Sequence, residues 1–111
     1  MDAQVFELTH IANELSRSSG RYLEFLRVPS LSAGLYRLPA ASVDPQTPHT
    51  EDEVYYVLSG RAVIRTGEED RPVGPGSLVY VKAGVEHRFH AIVEDVSVLV
   101  FFAPAEDAHA P

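Results

Sequence analysis

Apolar residues recur at two different spacings along the chain, and the change between them separates a short N-terminal part from a longer remainder. Over residues 4–15 they recur at intervals near three and four, which predicts a short amphipathic helix. The run Ser18-Ser19-Gly20 predicts the end of that helix. From residue 21 onward the apolar residues alternate with polar ones or form short runs, which favours strands.

Seven short strands are predicted beyond residue 20, each bounded by turn residues. They span 22–26, 32–38, 53–58, 61–66, 77–81, 87–92 and 96–102. Residues 39–50 contain three prolines, which predicts a connection, and the run Gly67-Glu68-Glu69-Asp70 predicts a turn. Because no helical pattern lies between the strands, the fold class is predicted to be all-β, as an antiparallel sandwich or barrel.

Length and composition predict one domain with one hydrophobic core, since the chain has 111 residues of which 45% are hydrophobic. We divide it into an N-terminal helix and lead-in (1–20), a β domain (21–104) and a flexible tail of small and polar residues (105–111). The absence of cysteine excludes disulfides and thiolate metal sites.

The net charge of −7 repels phosphate backbones, so we expect no nucleic-acid partner. The N-terminus lacks the basic start and apolar stretch of a signal peptide. The longest apolar run, 98–103, is too short to cross a bilayer. These features predict a cytoplasmic protein without a membrane partner.

The first candidate for chemistry lies just before the third predicted strand. In an extended backbone, residues 47, 49, 51 and 53 project to one side, so His49 and Glu53 can reach the same cation. Imidazole and carboxylate together suit Fe(II), Mn, Ni or Zn. Taken alone, the local pattern favours a solvated acidic loop over a metal site.

The second candidate lies between Gly74 and His90, where a glycine turn at Gly84 precedes a predicted strand. His87 begins that strand and shares a face with Phe89, whereas His90 takes the opposite face. One histidine therefore points inward and the other outward. The alternative is that both are ordinary strand residues, and we adopt it for His90 and for His10 on the predicted helix.

Together these two segments resemble the paired motifs of the cupin superfamily, G-x5-H-x-H-x(3,4)-E-x6-G and G-x5-P-x-G-x2-H-x3-N. The first motif matches at His49, Glu53 and Gly60, and the second matches at Gly76, Gly84 and His87. Fifteen residues separate the two blocks, as in short single-domain cupins. The resemblance covers residues 41–91 and implies an antiparallel β-barrel of the cupin type, a double-stranded β-helix or jelly roll, over residues 21–104.

Four positions depart from the family pattern: Ala41, Thr47, Lys82 and Ala91 stand where Gly, His, Pro and Asn are usual. Cupins typically bind metal through three histidines and one glutamate. Here the resemblance implies a divalent transition metal (Fe, Mn, Ni or Zn) held by His49, Glu53 and His87. We rank Glu51 and the Thr47 hydroxyl lower, as substitutes for the missing histidine.

Three functions remain open at this point. The resemblance is compatible with a metal-dependent enzyme of the dioxygenase or isomerase kind, with a non-catalytic module that binds a metal or small ligand, and with a scaffold whose metal site is degenerate. Tyr55 and Phe89 have the same inward parity as the candidate ligands. They are therefore expected either to form an apolar wall beside the metal or to be ordinary residues of the hydrophobic core. Cupins commonly pair, so we expect a homodimer formed through strands 22–26 and 96–102.

Overall fold

The structure is a computed structural model that describes residues 3–46 and 48–107. Within these ranges one helix precedes eight strands: α1 (Leu8–Arg17), β1 (Tyr22–Val28), β2 (Leu31–Leu38), β3 (Asp52–Ser59), β4 (Ala62–Thr66), β5 (Glu69–Val73), β6 (Leu78–Val81), β7 (His87–His90) and β8 (Val96–Ala103). No helix in the described part is long and apolar enough to span a membrane.

The strands form two antiparallel sheets. The larger has the order β1-β2-β8-β3-β6, and the smaller has the order β5-β4-β7. The sheets pack face to face through one core, in which the rings of Tyr55 and Phe89 lie 5.0 Å apart. The predicted all-β antiparallel class is therefore confirmed.

The closed barrel is not observed, because no described strand of one sheet is hydrogen-bonded to the other sheet. Side-chain packing rather than a continuous ladder joins the two layers. One open edge is β5, where Pro72 has no N–H to donate to a further strand. Residues 96–102, which were predicted to pair with a second copy of the chain, form most of β8. This strand lies between β2 and β3 and is hydrogen-bonded on both sides, so it offers no free edge for a dimer.

Strand β5 is the element that the hydrophobic pattern missed. Its sequence Glu-Asp-Arg-Pro-Val is charged and almost wholly exposed, so it resembles a turn. It nevertheless pairs with β4 along its whole length, from Ala62 opposite Val73 to Thr66 opposite Glu69. Charge and proline are how an edge strand avoids further pairing, which explains why it lacks apolar alternation.

Helix α1 begins at Leu8 rather than at residue 4. Residue Glu7 occupies the capping position without a side-chain cap, and Phe6 packs instead on Phe25 of β1, with ring centroids 5.1 Å apart. Ile11 and Leu15 bury the apolar face of the helix against the outer side of the larger sheet. The predicted end is confirmed, because the helix stops at Ser18.

Alternation along β3 and β8 builds the inner face of the core. The side chains of Tyr55 and Val98 have no exposed surface, and their inward neighbours on both strands are also buried. Each such apolar side chain contributes roughly 1.5–3 kcal/mol when fully buried. The same inward parity carries Glu53 into this core, where a carboxylate needs a compensating partner.

Gly60 serves as a backbone turn, as its motif position predicts. Its φ is +89°, and a Cβ at this position would lie 2.1 Å from the carbonyl oxygen of Asp95. Gly76 also has φ +89°, but a Cβ there would meet nothing within 4 Å. A side chain at Gly60 is therefore disfavoured both by its positive φ and by the backbone of Asp95, whereas at Gly76 only the positive φ disfavours one.

The segment predicted as a flexible tail is described as far as Asp107, and its first residues are packed. Ala105 is buried, and its N–H donates to the carbonyl of Pro29 at 3.3 Å. The N–H of Glu106 donates to Ser32 Oγ at 2.8 Å. Residues 108–111 lie outside the described residues.

Candidate metal centre

The approach to β3 places the first two candidate ligands on the inner face. His49, Glu51, Glu53 and Tyr55 alternate with outward-facing residues, and the last three are buried. The side chain of His49 retains 18% of its exposure, at the end of the core that opens to solvent. The predicted parity of this segment is confirmed.

The third candidate, His87, begins β7, and the turn before it is tied to the first cluster. The N–H of Gly84 donates to the carbonyl of His49 at 2.8 Å, which brings the two distant segments side by side. His87 is buried, whereas His90 points outward and its Nε2 lies 2.9 Å from Asp70 Oδ1. The predicted inward and outward directions of the two histidines are confirmed.

His49, Glu53 and His87 converge inside the core. One nitrogen from each imidazole and one carboxylate oxygen lie within 4.8 Å of one another. Metal–nitrogen and metal–oxygen bonds of ~2.0–2.2 Å limit the ligand atoms of one ion to separations of at most about 4.4 Å. The observed limit of 4.8 Å is slightly larger than this, so small side-chain rotations suffice for the three residues to share an ion.

The polar atoms at the centre of the cluster are unsatisfied. Both carboxylate oxygens of Glu53 and Nε2 of His87 are buried without a hydrogen-bond partner among the described residues. Oε1 of Glu53 lies 2.9 Å from that Nε2, so the two side chains form a buried ion pair when His87 is protonated. A buried carboxylate without a positive partner is strongly destabilising, and either the protonated imidazole or a metal ion between these atoms offsets that cost.

A backbone carbonyl orients the imidazole of His87. Its Nδ1 lies 3.0 Å from the carbonyl oxygen of Val85, which can only accept, so Nδ1 carries a hydrogen and Nε2 is the nitrogen that faces Glu53 and is available to a metal once deprotonated. Burial lowers the pKa of His87, but the contact with Glu53, the Val85 carbonyl and the charge of Asp44 together raise it above the ordinary value.

A cavity of about 200 Å³ adjoins the cluster. Its wall includes Tyr22, Tyr36, Gln46, Tyr55, Phe102 and Glu106 besides His49 and Glu53. Tyr55 is therefore a wall residue as predicted, while Phe89 packs behind it in the core. Burial is the main cause that raises the pKa of Tyr22, Tyr36 and Tyr55, which keeps all three phenols protonated.

Asp44 is a buried residue that the sequence analysis did not single out. Its carboxylate accepts from the Tyr36 hydroxyl at 2.7 Å, from Gln46 Nε2 at 2.7 Å and from the Phe89 N–H at 2.9 Å. Gln46 in turn accepts from the Tyr55 hydroxyl at 2.7 Å. This network fixes the proline-rich connection and two cavity walls, and no periodic pattern marks an acidic residue in such a loop.

Glu106 is the second residue that sequence reasoning missed. Its Oε2 lies 3.6 Å from Nδ1 of His49, on the cavity wall. Burial, followed by the charges of Asp107 and Glu53, raises the pKa of Glu106 to about 7. The residue lies in the segment predicted as a tail. The only feature of the sequence that could have indicated its role is an acidic side chain that closely follows the apolar strand β8.

Of the two lower-ranked ligand candidates, Glu51 does not join the cluster in the structure. Glu51 is 2% exposed, but one of its oxygens accepts from the Thr50 hydroxyl and neither belongs to the convergent group. Thr47 lies outside the described residues. His10 is exposed on the helix, which agrees with its interpretation as a surface residue.

The fold and the site define a small two-sheet β protein with an internal group of two histidines and one glutamate. A family model for the cupin domain matches residues 34–102, and the chain belongs to the cupin family.

The chain is similar to a curated protein in sequence and to a solved structure in fold. The chain is 50% identical over 103 residues to the uncharacterized protein SCO3923 of Streptomyces coelicolor, covering 93% of this chain and 98% of that protein. The structure of TT1209 from Thermus thermophilus is similar with a TM-score of 0.74 and 23% identity, over 93% of this chain and 99% of the other.

A lyase structure is similar over a smaller part. The DMSP lyase DddQ of Ruegeria pomeroyi shares 28% identity with a TM-score of 0.64 over 68% of this chain. The match spans only 39% of the length of that lyase, so the likeness concerns one part of it.

Proposed function

We propose that this cupin binds one divalent transition metal through His49, Glu53 and His87, and a small organic molecule in the adjoining cavity. The observation that carries the proposal is the Glu53 carboxylate, which is 1% exposed, has no hydrogen-bond partner among the described residues and faces Nε2 of His87 at 2.9 Å. Two imidazoles and one carboxylate suit Fe, Mn, Ni or Zn, and three protein ligands leave coordination positions for a bound molecule.

The bound metal would supply Lewis acidity toward an oxygen of the small molecule. The chain's own residues define the surroundings: Val85 fixes the orientation of His87, and Val100 and Phe102 make one side of the cavity apolar. A cavity of about 200 Å³ accommodates a small organic molecule rather than a polymer.

Catalysis is the second candidate, in the form of a metal-dependent isomerase-like or dioxygenase-like reaction. The observation in its favour is Glu106, a carboxyl group on the cavity wall that is outside the proposed ligand set. Such a group is within reach of a molecule in the cavity, as a general base must be. Oxygen consumption with small phenols, thiols and keto acids separates an oxygen-dependent enzyme from a binding module.

The metal content of the purified chain tests the proposal. Protein prepared without chelator is expected to contain about one transition metal per chain by elemental analysis, or to take up one on reconstitution with Fe(II), Mn, Ni or Zn. A chain that remains metal-free after each reconstitution would refute the metal site.

Metal affinity is expected to fall as the pH is lowered, because protonated imidazole has no lone pair for a metal. The raised pKa of His87 means that this loss begins above pH 6.5, the ordinary value for histidine. Titration with Zn²⁺ should show a dissociation constant at pH 5.5 at least about tenfold larger than at pH 7.5. The variant His90→Ala should retain the profile, and an affinity independent of pH over this range would exclude histidine ligation.

The predicted homodimer is also a proposal, now assigned to a different surface. The outer face of β3 and β6 carries Tyr56, Leu78 and Tyr80 with exposures of 39%, 71% and 62%, and Leu78 lies opposite Tyr56 in the ladder. Helix α1 covers another part of that sheet face, at Leu35. Light scattering is expected to give the mass of a dimer, with Leu78→Lys shifting it toward the monomer; a monomeric mass for the unmodified chain would refute the pairing.

A further inference from the structure

The cavity beside the candidate metal centre is lined mainly by aromatic rings and carboxylates. Five of its nine lining residues carry aromatic rings: Tyr22, Tyr36, His49, Tyr55 and Phe102. Two more, Glu53 and Glu106, are carboxylates, and no lysine or arginine is among the lining residues that the structure describes. Aromatic walls with a carboxylate favour organic cations, because the faces of the rings and the carboxylate both attract positive charge.

We infer that the molecule bound in this cavity carries a small cationic group, an ammonium or a similar onium centre, which the aromatic rings surround and Glu106 neutralises. The inference rests on the proposed ligand-binding role of the cavity and adds the chemical class of its ligand.

Four of the aromatic rings in the wall pack on one another in two pairs. The rings of Tyr22 and Tyr36 meet at 72° with centroids 6.2 Å apart, and those of His49 and Phe102 meet at 63° with centroids 4.8 Å apart. These are edge-to-face contacts, so the members of each pair pack directly on each other and hold each other in the wall. Both pairs line the same cavity, so a cation in it lies beside more than one aromatic ring.

The position of Tyr22 on this wall depends on a residue with no side chain. A Cβ at Gly34 of β2 would lie 2.3 Å from ring atoms of Tyr22, so only glycine leaves room for the ring. The Tyr22 hydroxyl is buried without a hydrogen-bond partner among the residues described. The side chain is therefore held in the wall by packing over Gly34, as a cage residue requires.

Glu106 is the carboxylate available for a ligand, since Glu53 belongs to the proposed metal site. Two hydrogen bonds of the Glu106 backbone hold this residue in place. Its N–H donates to Ser32 Oγ at 2.8 Å, and its carbonyl accepts from Arg27 Nη2 at 2.5 Å. The guanidinium of Arg27 also binds Glu24 at 2.7 Å and is not a lining residue of the cavity. The Glu106 side chain thus contributes its charge to the cavity without a neutralising arginine in the wall.

The test compares choline with 3,3-dimethylbutan-1-ol, which has the same shape without the charge. Calorimetric or NMR titration uses the full chain at pH 8, above the pKa of about 7 of Glu106. Both a chelator-treated and a zinc-loaded sample are measured. Choline is expected to bind at least about tenfold more tightly than the neutral alcohol.

The variant Glu106→Gln should reduce that preference to about threefold or less, while Glu94→Gln, which removes an exposed carboxylate elsewhere, should leave it unchanged. Equal melting temperatures of the two variants would show that both are folded. Equal binding of the two probes, no choline binding at 20 mM, or an undiminished preference in Glu106→Gln would each overturn the inference.

The zinc-loaded arm separates this inference from the proposed function. Choline preference in a chain that does not bind zinc would support the inference and contradict the metal site. Zinc binding without choline preference in either sample would support the metal site and contradict the inference.

Discussion

Replacing Glu53 with glutamine is expected to abolish metal binding while leaving the metal-free protein at least as stable as the unmodified chain. The carboxylate is 1% exposed and neither oxygen has a hydrogen-bond partner among the described residues, so beside a neutral His87 the buried charge destabilises the metal-free fold. Glutamine has nearly the same shape without the charge, and the cost of a buried unsatisfied group, about 1–3 kcal/mol when it is neutral, is larger when it is charged. The same change deletes the only anionic member of the ligand set.

Thermal unfolding at pH 8 with and without Zn²⁺ measures both effects. A metal at one hundred times its dissociation constant stabilises a folded protein by about 2.7 kcal/mol, which raises the melting temperature of a chain of this size by roughly 10 °C. That shift should appear in the unmodified chain and be absent in Glu53→Gln. His87→Ala should also lose it, although its metal-free stability falls because a buried ring is removed.

His90→Ala is the matched control for the histidine variant. His90 lies on the opposite face of β7, with its Nε2 beside Asp70, so its removal should leave the zinc shift intact. A Glu53→Gln variant that is destabilised without metal and still shifted by zinc would mean that Glu53 and His87 form a structural ion pair rather than a metal site.

The inner face of the sheets could be predicted from the sequence because it depends on strand parity alone. Once residues 49–55 are extended, alternation directs His49 and Glu53 to the same side as Tyr55, and it separates His87 from His90. Two glycine positions, Gly60 and Gly84, then fix where the neighbouring turns lie. The convergence of distant segments followed from the family resemblance, not from parity.

Features that depend on tertiary pairing were not predictable in this way. Strand β5 is defined by its ladder with β4, while its own residues are charged and include Pro72. Asp44 and Glu106 lie in segments without periodicity, and only the folded chain shows that one is buried and the other lines a cavity. The separation of two sheets in place of a closed barrel likewise depends on edge pairing between strands, which no local pattern encodes.

Replacing Asp44 with alanine is expected to be the most destabilising substitution in the connection between β2 and β3. The carboxylate is 1% exposed and accepts three hydrogen bonds, from Tyr36, Gln46 and the backbone of Phe89. Hydrogen bonds to a charged group contribute about 1.5–3 kcal/mol each, and donors left buried without a partner add further cost. We expect the free energy of unfolding to fall by roughly 3–5 kcal/mol, a large fraction of the 5–15 kcal/mol typical of a domain.

The loss should reach the cavity as well, because Asp44 holds Gln46 and Gln46 accepts from the Tyr55 hydroxyl. Urea unfolding of the metal-free chain measures the stability. The control is Asp52→Ala, which removes an exposed carboxylate that accepts a single bond from the Ala83 N–H at 2.9 Å and should cost about 1 kcal/mol or less. If the two variants unfolded at the same urea concentration, Asp44 would not be the residue that binds the proline-rich connection to both sheets. The cavity walls formed by Tyr36 and Tyr55 would then have to be held by packing alone.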